Sequence, residues 1–409
     1  MFKYTKDGVS VSVILDARRA KANGKYPVKV QVTYLRKQKY YATGKDLDRS
    51  EWEKLPATKL RTLIDTREQI EASYNIVRDY VRELTDNGNF TFEALSLRLK
   101  GAATADINTT LRMRYEEAMN ECRYNSASSY KSTITSVEAF AGRSIKYADI
   151  TPEWLRRYEQ FELNRGNSYG TIITRVDRIR ACVNYAEKLG IVKPTANPFT
   201  HGAYKTHGAD TNKRALTIEQ IKRIAKFEGT PIQERYRDYW LFIYLCNGIN
   251  IADLARLKWS NVENGEISFE RQKTAHALRK ARTIKVIITP EMQEIIDRIG
   301  NPSSSSNVYM FPILSDSSSN AKKHIRIKSF TRCLNKFMTR IGEELGIGKV
   351  TSYTARHSFA TTLKRSGVNI AYISEALGHT NLQMTETYLA SFEREERQKN
   401  AQILVDILK

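Results

Sequence analysis

The sequence lacks the motifs of several large classes of enzyme. It contains no GxxxxGK[ST] loop and no HExxH motif, so a P-loop nucleotidase and a helical zinc site of that type are not indicated. Its four cysteines, at positions 122, 182, 246 and 333, are far apart and form no CxxC pair. We therefore predict neither a disulfide framework nor a zinc site, and a reducing cytosol fits this cysteine usage.

Long apolar segments are also absent. No apolar run approaches the roughly 18 residues that are needed to cross a bilayer. The first ten residues, MFKYTKDGVS, have no apolar core, so we expect no signal peptide. A cytoplasmic protein without a membrane partner is the expectation.

Acidic residues are scarce relative to basic ones. The chain of 409 residues has 66 Lys and Arg against 45 Asp and Glu, a formal net charge of +21 at pH 7. Residues 1–50 alone hold 12 Lys and Arg against 4 Asp, so the excess is concentrated at the N-terminus. Basic side chains that meet phosphates release condensed counterions, and an excess of this size therefore favours a polyanionic partner.

Composition and pattern divide the chain into three blocks, residues 1–100, 106–200 and 212–409. The small, polar segment 101–109 and the Gly-, Pro- and polar-rich segment 196–213 are predicted to be linkers between them. Each block is long enough to bury its own core.

The first block has the pattern of a small sheet with one helix. Residues 9–15 and 26–35 alternate in the two-residue period of strands, and Asn23-Gly24 between them is a hairpin signal. Residues 36–44 predict a turn and a third strand. An apolar stripe at helical spacing over residues 60–84 then predicts a long helix.

The other two blocks are mainly helical. In the second, Thr151 precedes Pro152, the arrangement of a helix cap followed by proline at the first helical position. In the third, Thr217 and Gln220 are spaced as a capping box. Residues 266–289 predict a strand, a turn and a second strand, and the pattern is helical again near the C-terminus.

Residues 353–360, YTARHSFA, place an arginine beside positions that face a core. Phe359 and Ala360 are two of these apolar positions. Arg356, near the predicted start of a helix, is placed to bind a phosphate with both arms of its guanidinium. The alternative is an exposed arginine on an amphipathic helix.

A histidine and a tyrosine follow at a fixed spacing. Leu377-Gly378 predicts a helix end with a glycine cap, which leaves His379 in a tight turn. Tyr388 comes nine residues later. Tyrosine is a weak nucleophile at its usual pKa of roughly 10, but fixed cations around a phosphodiester would stabilise the phenolate. Taken alone, a tyrosine or a histidine is more often a packing or structural residue than a catalytic one, and the chain has 22 tyrosines.

The first strand of the predicted hairpin ends in basic residues. Because i and i+2 share a face of a strand, Arg271 and Lys273 are predicted to point the same way. A lysine ammonium can act as a general acid toward a leaving alkoxide. The alternative is a solvated edge strand that carries lysine against aggregation.

The order of these features resembles the tyrosine recombinase (phage integrase) family. The shared pattern is a lysine in a hairpin, then ARHSFAT, then LGHxxxxxT, with the tyrosine three residues after the threonine. Residues 1–100 resemble the arm-type DNA-binding domain of Bacteroidetes mobile-element integrases. Residues 106–200 resemble the SAM-like core-binding domain of the family, and residues 212–409 resemble its catalytic domain.

The resemblance implies a multidomain, mainly α fold with a small α+β arm-binding domain, an all-α SAM-like domain and a mostly helical catalytic domain that contains a small β-sheet. It also implies phosphoryl transfer without a metal or nucleotide cofactor. Tyr388 would attack the scissile phosphate and form a 3′-phosphotyrosyl link. Arg356 would bind the non-bridging oxygens, Lys273 would protonate the leaving 5′-oxygen, and His379 would donate a hydrogen bond to the phosphate.

Two positions depart from the family pattern. Asn250 stands where the family carries its first arginine, and a neutral amide cannot offset phosphate charge. We expect Arg271 to supply the missing guanidinium, because it shares a strand face with Lys273. Arg256 is the second choice. It lies on the same predicted helix as Asn250 but nearly two turns further on, so it should face elsewhere and lie too far away. Tyr353 stands where the family usually has histidine, and its phenol can donate one hydrogen bond but cannot become cationic near neutral pH. His357 is expected to be structural.

Basic residues outside the catalytic block are candidates for DNA contacts. Arg36, Lys37 and Lys39, with Tyr40, lie at the predicted turn of the N-terminal sheet, which would enter a major groove, although a solvated basic loop is the alternative. Candidates for phosphate contacts in the helical block are Arg123, Lys131, Arg165 and Arg175. The apolar tail, residues 403–408, would dock on a neighbouring protomer or on its own domain.

The function expected from the resemblance is site-specific DNA recombination, with integration and excision of a mobile element. A DNA invertase of the same chemistry and a non-catalytic DNA-binding protein on the recombinase fold are the alternatives. The expected partners are double-stranded DNA at specific sites, a homotetramer on synapsed DNA, and host DNA-bending and directionality proteins. The location implied is the bacterial cytoplasm, on the nucleoid when the protein is active.

Overall fold

A computed structural model describes most of the chain, and it separates into two compact units, residues 1–209 and 210–409. The described residues are 2–18, 20–101, 104–142, 144–200, 202–206, 215–271, 283–379, 385, 398, 401, 402 and 406. The first unit holds the N-terminal sheet and a helical bundle, and the second holds helices with a small sheet.

The N-terminal sheet is antiparallel, with four strands in the order β1-β2-β3-β4. Its strands are β1 (Lys3–Lys6), β2 (Val9–Leu15), β3 (Tyr26–Tyr34) and β4 (Lys37–Leu47). Alternate valines of β2 and β3 are buried, and they are Val9, Val11, Val13, Val28, Val30 and Val32. The prediction of three strands was wrong by one, because β1 is a four-residue edge strand whose sequence, KYTK, carries no apolar alternation.

Three helices accompany this sheet where one was predicted. They are α1 (Arg49–Lys54), α2 (Arg61–Asp86) and α3 (Phe92–Lys100). The buried residues of α2 are Ile70, Tyr74, Val77, Val81 and Leu84, which confirms the predicted stripe. Leu60 is an exception, since it lies just outside the helix and is 64% exposed.

The rest of the first unit is helical, as predicted. The helices are α4 (Ile107–Asn120), α5 (Tyr124–Ala141), α6 (Pro152–Asn164) and α7 (Tyr169–Lys188), with short 3-10 turns at Tyr147–Asp149 and Pro194–Ala196. The hydroxyl of Thr151 accepts a hydrogen bond from the Trp154 amide, and Pro152 is the first residue of α6. The predicted cap is therefore present.

The two segments predicted to be linkers are partly packed. Ala105 is fully buried, and the Ile107 amide donates to the carbonyl of Ile145 over 2.9 Å. In the second segment Tyr204 is buried and donates to a carboxylate oxygen of Glu159 over 3.1 Å. These contacts correct the prediction for the described parts of both segments, because polar composition does not reveal that one aromatic or small apolar residue is anchored.

The second unit combines seven described helices with a three-stranded antiparallel sheet in the order β5-β6-β7. The helices are α8 (Ile218–Ala225), α9 (Pro231–Leu245), α10 (Ile251–Leu254), α11 (Pro290–Ile299), α12 (Asn320–Glu344), α13 (Ser352–Arg365) and α14 (Ile370–Ala376). The strands are β5 (Val262–Glu263), β6 (Glu266–Glu270) and β7 (Thr283–Ile287), and Trp259–Asn261 forms a 3-10 turn. Trp240, Phe242 and Phe311 are among the largest buried side chains of its core.

The helix cap and the hairpin predicted for this unit are confirmed. Thr217 and Gln220 form the predicted capping box of α8. The predicted hairpin is β6 and β7, paired from Glu266↔Ile287 to Glu270↔Thr283. In the part of the chain that the structure describes, no helix is both long enough and apolar enough to span a membrane.

Candidate active site

The helix that carries the predicted arginine is polar and yet buried. α13 is capped by Thr351, whose hydroxyl accepts a hydrogen bond from the Thr354 amide. Every residue from Thr354 to Thr361 is buried. The indole nitrogen of Trp240 in α9 donates to the Thr351 carbonyl over 2.9 Å, which fixes the start of the helix against the core. A helix of this composition is buried only where its polar groups find partners.

Arg356 lies at the centre of a cluster of chain segments and is 3% exposed. Its Nη1 donates to the carbonyl of Gly248 over 2.7 Å, and its Nη2 donates to the carbonyl of Leu377, also over 2.7 Å. Nη2 also lies 3.2 Å from Nε2 of His379. The guanidinium therefore joins the loop before α10, the end of α14 and the histidine, and the alternative of an exposed arginine is wrong.

Two glycines make room for the arginines. Gly248 has φ +60, and a Cβ there would lie 2.9 Å from Cα of Arg356. Gly378 has φ +62, and a Cβ there would lie 2.6 Å from Cδ of Arg271 and 2.6 Å from Cδ1 of Ile284. At both positions the left-handed backbone and the close approach require glycine.

Arg271 reaches the same place from the sheet. It follows β6 directly, is half-buried, and donates from Nη1 to the carbonyl of Gly378 over 3.0 Å. Arg356 and Arg271 thus bind the consecutive carbonyls of Leu377 and Gly378, immediately before His379. Two guanidinium groups are held next to one imidazole.

His379 is buried and its ring is held on both sides. It lies after the predicted glycine cap of α14, where the Gly378 amide donates to the Glu375 carbonyl over 2.8 Å. Because arginine has donors only, Nε2 of His379 accepts from Arg356. The ring proton is then on Nδ1, which donates to Oγ1 of Thr385 over 2.9 Å.

Tyr353 lies one helical turn before Arg356 and is 55% exposed. Its ring meets the ring of His357 edge-to-face, with the centroids 4.8 Å apart. His357 itself is buried, which is consistent with the structural role expected for it. The phenol therefore sits at the solvent side of the helix that carries Arg356.

Asn250 and Arg256 lie at opposite ends of the short helix α10. Asn250 stands at the position of the family's first arginine, and Arg256 was the second choice to replace that arginine. Asn250 caps α10 and is half-buried, two residues after the Gly248 carbonyl that binds Arg356. α10 ends at Leu254, so Arg256 is not on the same helix, contrary to the prediction. Burial, followed by the positive charges of Lys328 and Arg256, lowers the pKa of His324 in α12. Nη1 of Arg256 donates back to the carbonyl of Ala252 in α10 over 2.7 Å.

Lys273 and Tyr388 lie outside the described residues, as do the apolar positions of the tail. Arg271 and Thr385, which lie close to them in sequence, are described. Lys273 follows Arg271 by two residues, and Tyr388 follows Thr385 by three.

The predicted DNA contacts of the N-terminal sheet divide into two groups. Arg36 and Lys37 are exposed at the turn between β3 and β4. Lys39 is paired with the buried Val32, so its side chain leaves the sheet on the face that packs on the helices, where Nζ lies 3.4 Å from Oγ of Ser96. Alternation along β4 places Lys39 away from the open face, which the turn prediction did not consider.

The four arginine and lysine candidates of the helical bundle also differ. Arg175 is an ion-pair partner of the fully buried Glu162, with only 15% of its side chain exposed, so it is not available to a phosphate. Arg123 and Arg165 keep about half of their side-chain surface exposed, and Lys131 is exposed. Sequence did not separate these residues because the buried carboxylate lies on another helix.

Three groups that hold the cluster together were not predicted from the sequence. They are the hydroxyl of Thr385 and the carbonyls of Gly248 and Leu377. A signal existed for the threonine, which has a fixed spacing in LGHxxxxxT. Backbone acceptors leave no trace in side-chain identity, although Asn247-Gly248 does indicate a turn at that point.

Three family models match consecutive parts of the chain. The model described as the phage integrase family matches residues 214–395. The phage integrase SAM-like domain matches residues 110–205, and the arm DNA-binding domain matches residues 13–98. Together these matches cover most of the sequence. The arm and SAM-like matches lie within residues 1–209, and the phage integrase match lies within residues 210–409.

Curated relatives are tyrosine recombinases. Tyrosine recombinase XerA of Thermococcus kodakarensis is 29% identical over 176 residues, which are 43% of this chain and 57% of the relative. A tyrosine recombinase of Thermosipho africanus is 24% identical over 283 residues, 66% of this chain and 90% of the relative. The chain thus spans little more than half of the first relative and nearly all of the second.

Solved structures share the fold. A Tn1549 transposon integrase in complex with transposon right-end DNA superposes with a TM-score of 0.52 at 15% identity, over 81% of this chain and 99% of that chain. A lambda integrase tetramer bound to a Holliday junction gives a TM-score of 0.50 at 15% identity, over 95% of this chain and 97% of that chain. At this level of identity the likeness concerns the fold.

Proposed function

We propose that the chain is a site-specific DNA recombinase of the tyrosine recombinase (phage integrase) type that acts through a 3′-phosphotyrosyl intermediate, and the three consecutive phage integrase family matches and the tyrosine recombinase relatives support this proposal. The observation that carries this proposal is the cluster in which Arg356 and Arg271 bind consecutive carbonyls beside His379. Two guanidinium groups and an imidazole in one place are suited to a phosphate with developing negative charge.

The proposed cleavage step is an in-line displacement at phosphorus. Oη of Tyr388 attacks the scissile phosphate, the bond from phosphorus to the 5′-oxygen breaks, and the leaving oxygen takes a proton from Lys273. The phenolic proton passes to water. The product is a phosphotyrosyl ester at the 3′ end and a free 5′-hydroxyl. The 5′-hydroxyl of a partner strand reverses the step, so the bond energy is conserved and neither ATP nor a metal ion enters the scheme.

Arg356 is the central phosphate ligand in this proposal. Its guanidinium is fixed by the carbonyls of Gly248 and Leu377 before DNA binds. Donors that are already oriented need no reorganisation when charge develops, which is the main source of electrostatic stabilisation in enzymes. Arg271 would supply the second guanidinium in place of Asn250, and its bond to Gly378 supports that role.

His379 has to change its hydrogen bond before it can donate to a phosphate. In the observed arrangement Nε2 of His379 accepts a hydrogen bond from Arg356. The ring proton is therefore on Nδ1, which donates it to Oγ1 of Thr385. When a phosphate oxygen takes the place of Nε2 as acceptor for Arg356, His379 can donate from Nε2 only with a proton on that atom. Thr385 holds the ring during this exchange.

Lys273 and Tyr388 are tied to the cluster by short stretches of chain. Arg271 binds the Gly378 carbonyl, and Lys273 is two residues away. Thr385 binds His379, and Tyr388 is three residues away. The acid and the nucleophile of the proposal are thus the sequence neighbours of groups that line the site. Tyr353, half-exposed on α13, would contact the DNA backbone near the phosphate.

The biological role proposed is integration and excision of a mobile element, carried out by a homotetramer on two synapsed DNA sites in the bacterial cytoplasm. The arm DNA-binding match at residues 13–98 supports two classes of DNA site, because a second binding module raises the effective concentration at the first. Similarity to a transposon integrase and to a lambda integrase tetramer is consistent with this role. The specific resemblance to Bacteroidetes integrases, the three domains 1–100, 106–200 and 212–409, and the participation of host bending and directionality proteins belong to the same proposal.

A covalent trap tests the proposed chemistry. Duplexes enriched by the full-length protein from a random-sequence pool are nicked near the exchange point, so that the cleaved strand diffuses away, and are incubated with protein and a chelator. We expect a protein–DNA adduct that survives denaturing electrophoresis. Tyr388→Phe should abolish it while leaving DNA binding intact.

The matched control is Tyr372→Phe, which changes an exposed tyrosine of α14 that has no role in the scheme. This variant should form the adduct at the wild-type rate. Binding without any adduct in the wild-type protein would favour a non-catalytic DNA-binding protein on the same fold.

A further inference from the structure

Three two-residue turns in this chain share one backbone conformation. They connect β1 to β2, β3 to β4, and β5 to β6, and they are Asp7-Gly8, Leu35-Arg36 and Asn264-Gly265. Their φ angles are 47 and 77, 45 and 63, and 49 and 76 degrees. Positive φ at both positions is the signature of the type I′ hairpin turn, which favours Asn-Gly and Asp-Gly.

The turn between β3 and β4 has the wrong residues for this conformation. Asp7-Gly8 and Asn264-Gly265 are the favoured pairs, whereas Leu35 and Arg36 both carry a Cβ that clashes with the backbone when φ is positive. Leu35 gains nothing from packing, since it is 74% exposed. The backbone is therefore strained at this turn, and packing of Leu35 does not compensate for the strain. Strained backbone of this kind is typically retained where a residue has a function.

The surroundings of the turn are suited to duplex DNA. Arg36 and Lys37 are exposed beside Leu35. Residues 1–50, which contain this turn, hold 12 Lys and Arg against 4 Asp. The open face of the hairpin is polar, with Thr33 paired with Gln38 near the turn. A two-stranded antiparallel ribbon fits the major groove of B-DNA, and cations at its tip face phosphates or guanine edges.

We propose that Leu35 is a specificity-determining residue that contacts the 5-methyl group of thymine in the major groove of arm-type DNA sites. The proposal rests on the recombinase function proposed above. Apolar side chains read thymine through this methyl group, which is the one apolar feature of the major groove. Arg36, next to it, can bind guanine through both arms of its guanidinium. The charges that flank Leu35 favour DNA over a protein partner as the occupant.

Uracil substitution gives a direct test, because uracil differs from thymine only by the missing methyl group. The probes are duplexes that full-length wild-type protein enriches from a random-sequence pool and that Leu35→Asn enriches less strongly, with thymines replaced one at a time by uracil. Asparagine accepts positive φ, so this variant keeps the turn and removes the apolar contact. Affinity is measured for both proteins on both DNAs.

We expect wild-type affinity to fall about fourfold at one or two specific thymines, the value for one buried methyl group. Leu35→Asn should bind thymine and uracil equally at those positions, and its thermal transition should be unchanged or higher. Asp7→Asn, in the equivalent turn of the same sheet, should retain the full dependence on thymine.

Three outcomes would overturn the proposal. The first is no uracil effect at any position in the wild type, and the second is an equal effect in wild type and Leu35→Asn. In both, adduct formation by Tyr388 would still stand, so the recombinase function would survive. The third is the absence of any enriched duplex, which would contradict both.

Discussion

Nη2 of Arg356 lies 3.2 Å from Nε2 of His379, and this contact determines which ring nitrogen of the histidine acts as the acceptor before DNA arrives. The arginine can only donate, so the histidine accepts and holds its proton on the opposite nitrogen. In the free protein, Arg356 and His379 are therefore hydrogen-bonded to each other. In the proposed mechanism, the scissile phosphate would enter between them and accept a hydrogen bond from each.

Replacement of Arg356 by lysine should strongly reduce cleavage while DNA binding is retained. An ammonium on a flexible stem cannot donate to the Gly248 and Leu377 carbonyls and present a planar pair of donors to a phosphate. We expect adduct formation to fall by roughly 10²–10³, the range for loss of one oriented donor. Single-turnover cleavage and gel-shift affinity measure the two effects separately.

The control for this substitution is Arg365→Lys, at the last position of the same helix. It should leave cleavage within about twofold of wild type, because the half-buried Arg365 is nine residues from Arg356 and lysine keeps the positive charge at the C-terminal end of the helix. Equal loss in both variants would mean that the helix, and not the guanidinium of Arg356, had been damaged.

Thr385 should act as a positioning residue for His379. Thr385→Val removes the acceptor of the Nδ1 proton and keeps the shape of the side chain. Partners of this kind are typically worth on the order of 10-fold in activity. We expect Thr385→Val to lower the cleavage rate on that order and to change the shape of the pH–rate profile, whereas Thr385→Ser should restore both. A uniform loss at all pH values in Thr385→Val would contradict the role.

Gly248→Ala should be far more damaging than the same change at another left-handed glycine. A Cβ at position 248 would overlap Arg356, whereas at Gly265, with φ +76, nothing lies within 4 Å of the added atom. Gly265→Ala should cost about 1 kcal/mol for the conformation alone. Gly248→Ala should cost roughly 1–3 kcal/mol more, because a close-packed site must shift. Thermal melting gives the stability, and the trap assay should show lost cleavage for Gly248→Ala alone.

Arg271→Ala should cripple cleavage if this residue replaces the arginine that the family carries at position 250. The loss should be roughly 10²–10³, and adding Asn250→Arg should recover part of it. Cleavage by Arg271→Ala close to the wild-type rate would end the substitution hypothesis. The same comparison with Arg256→Ala should show no such loss of chemistry, because the guanidinium of Arg256 binds the Ala252 carbonyl of its own chain segment.

Lys273→Ala should fail on ordinary DNA and succeed on a modified substrate. With a 5′-bridging phosphorothioate the leaving group is a thiolate, which departs without a proton from an acid. Rescue of adduct formation on that substrate would assign the acid role to Lys273. Lack of rescue, with DNA binding intact, would assign this lysine a different function.

Local signals predicted much of the fold. The two-residue alternation of VSVSVIL gave a strand, and the Thr217 and Gln220 spacing gave a helix start, because each depends on neighbours in sequence alone. The strand KYTK was missed since its stability comes from pairing with β2 and not from its own pattern. Polar segments 101–109 and 196–213 looked like linkers because one anchored residue, such as Tyr204, is invisible to composition.

The site was predictable to the extent that its residues form motifs. Arg356 and His379 come from two such motifs, and the structure brings them into contact. The carbonyl acceptors and the ion pair of Arg175 with Glu162 depend on which segments meet in space, so single-sequence reasoning could not rank them. The side of β4 that Lys39 occupies follows from register, which a turn signal alone does not give.

The decisive experiment identifies the residue that becomes linked to DNA. The trapped adduct is digested with nuclease and protease, and the peptide that retains a nucleotide is sequenced by mass spectrometry. We expect a 3′-linked nucleotide on Tyr388 and on no other residue. A nucleotide on a different side chain, or a 5′ linkage, would contradict the mechanism proposed for the Arg356 and His379 site.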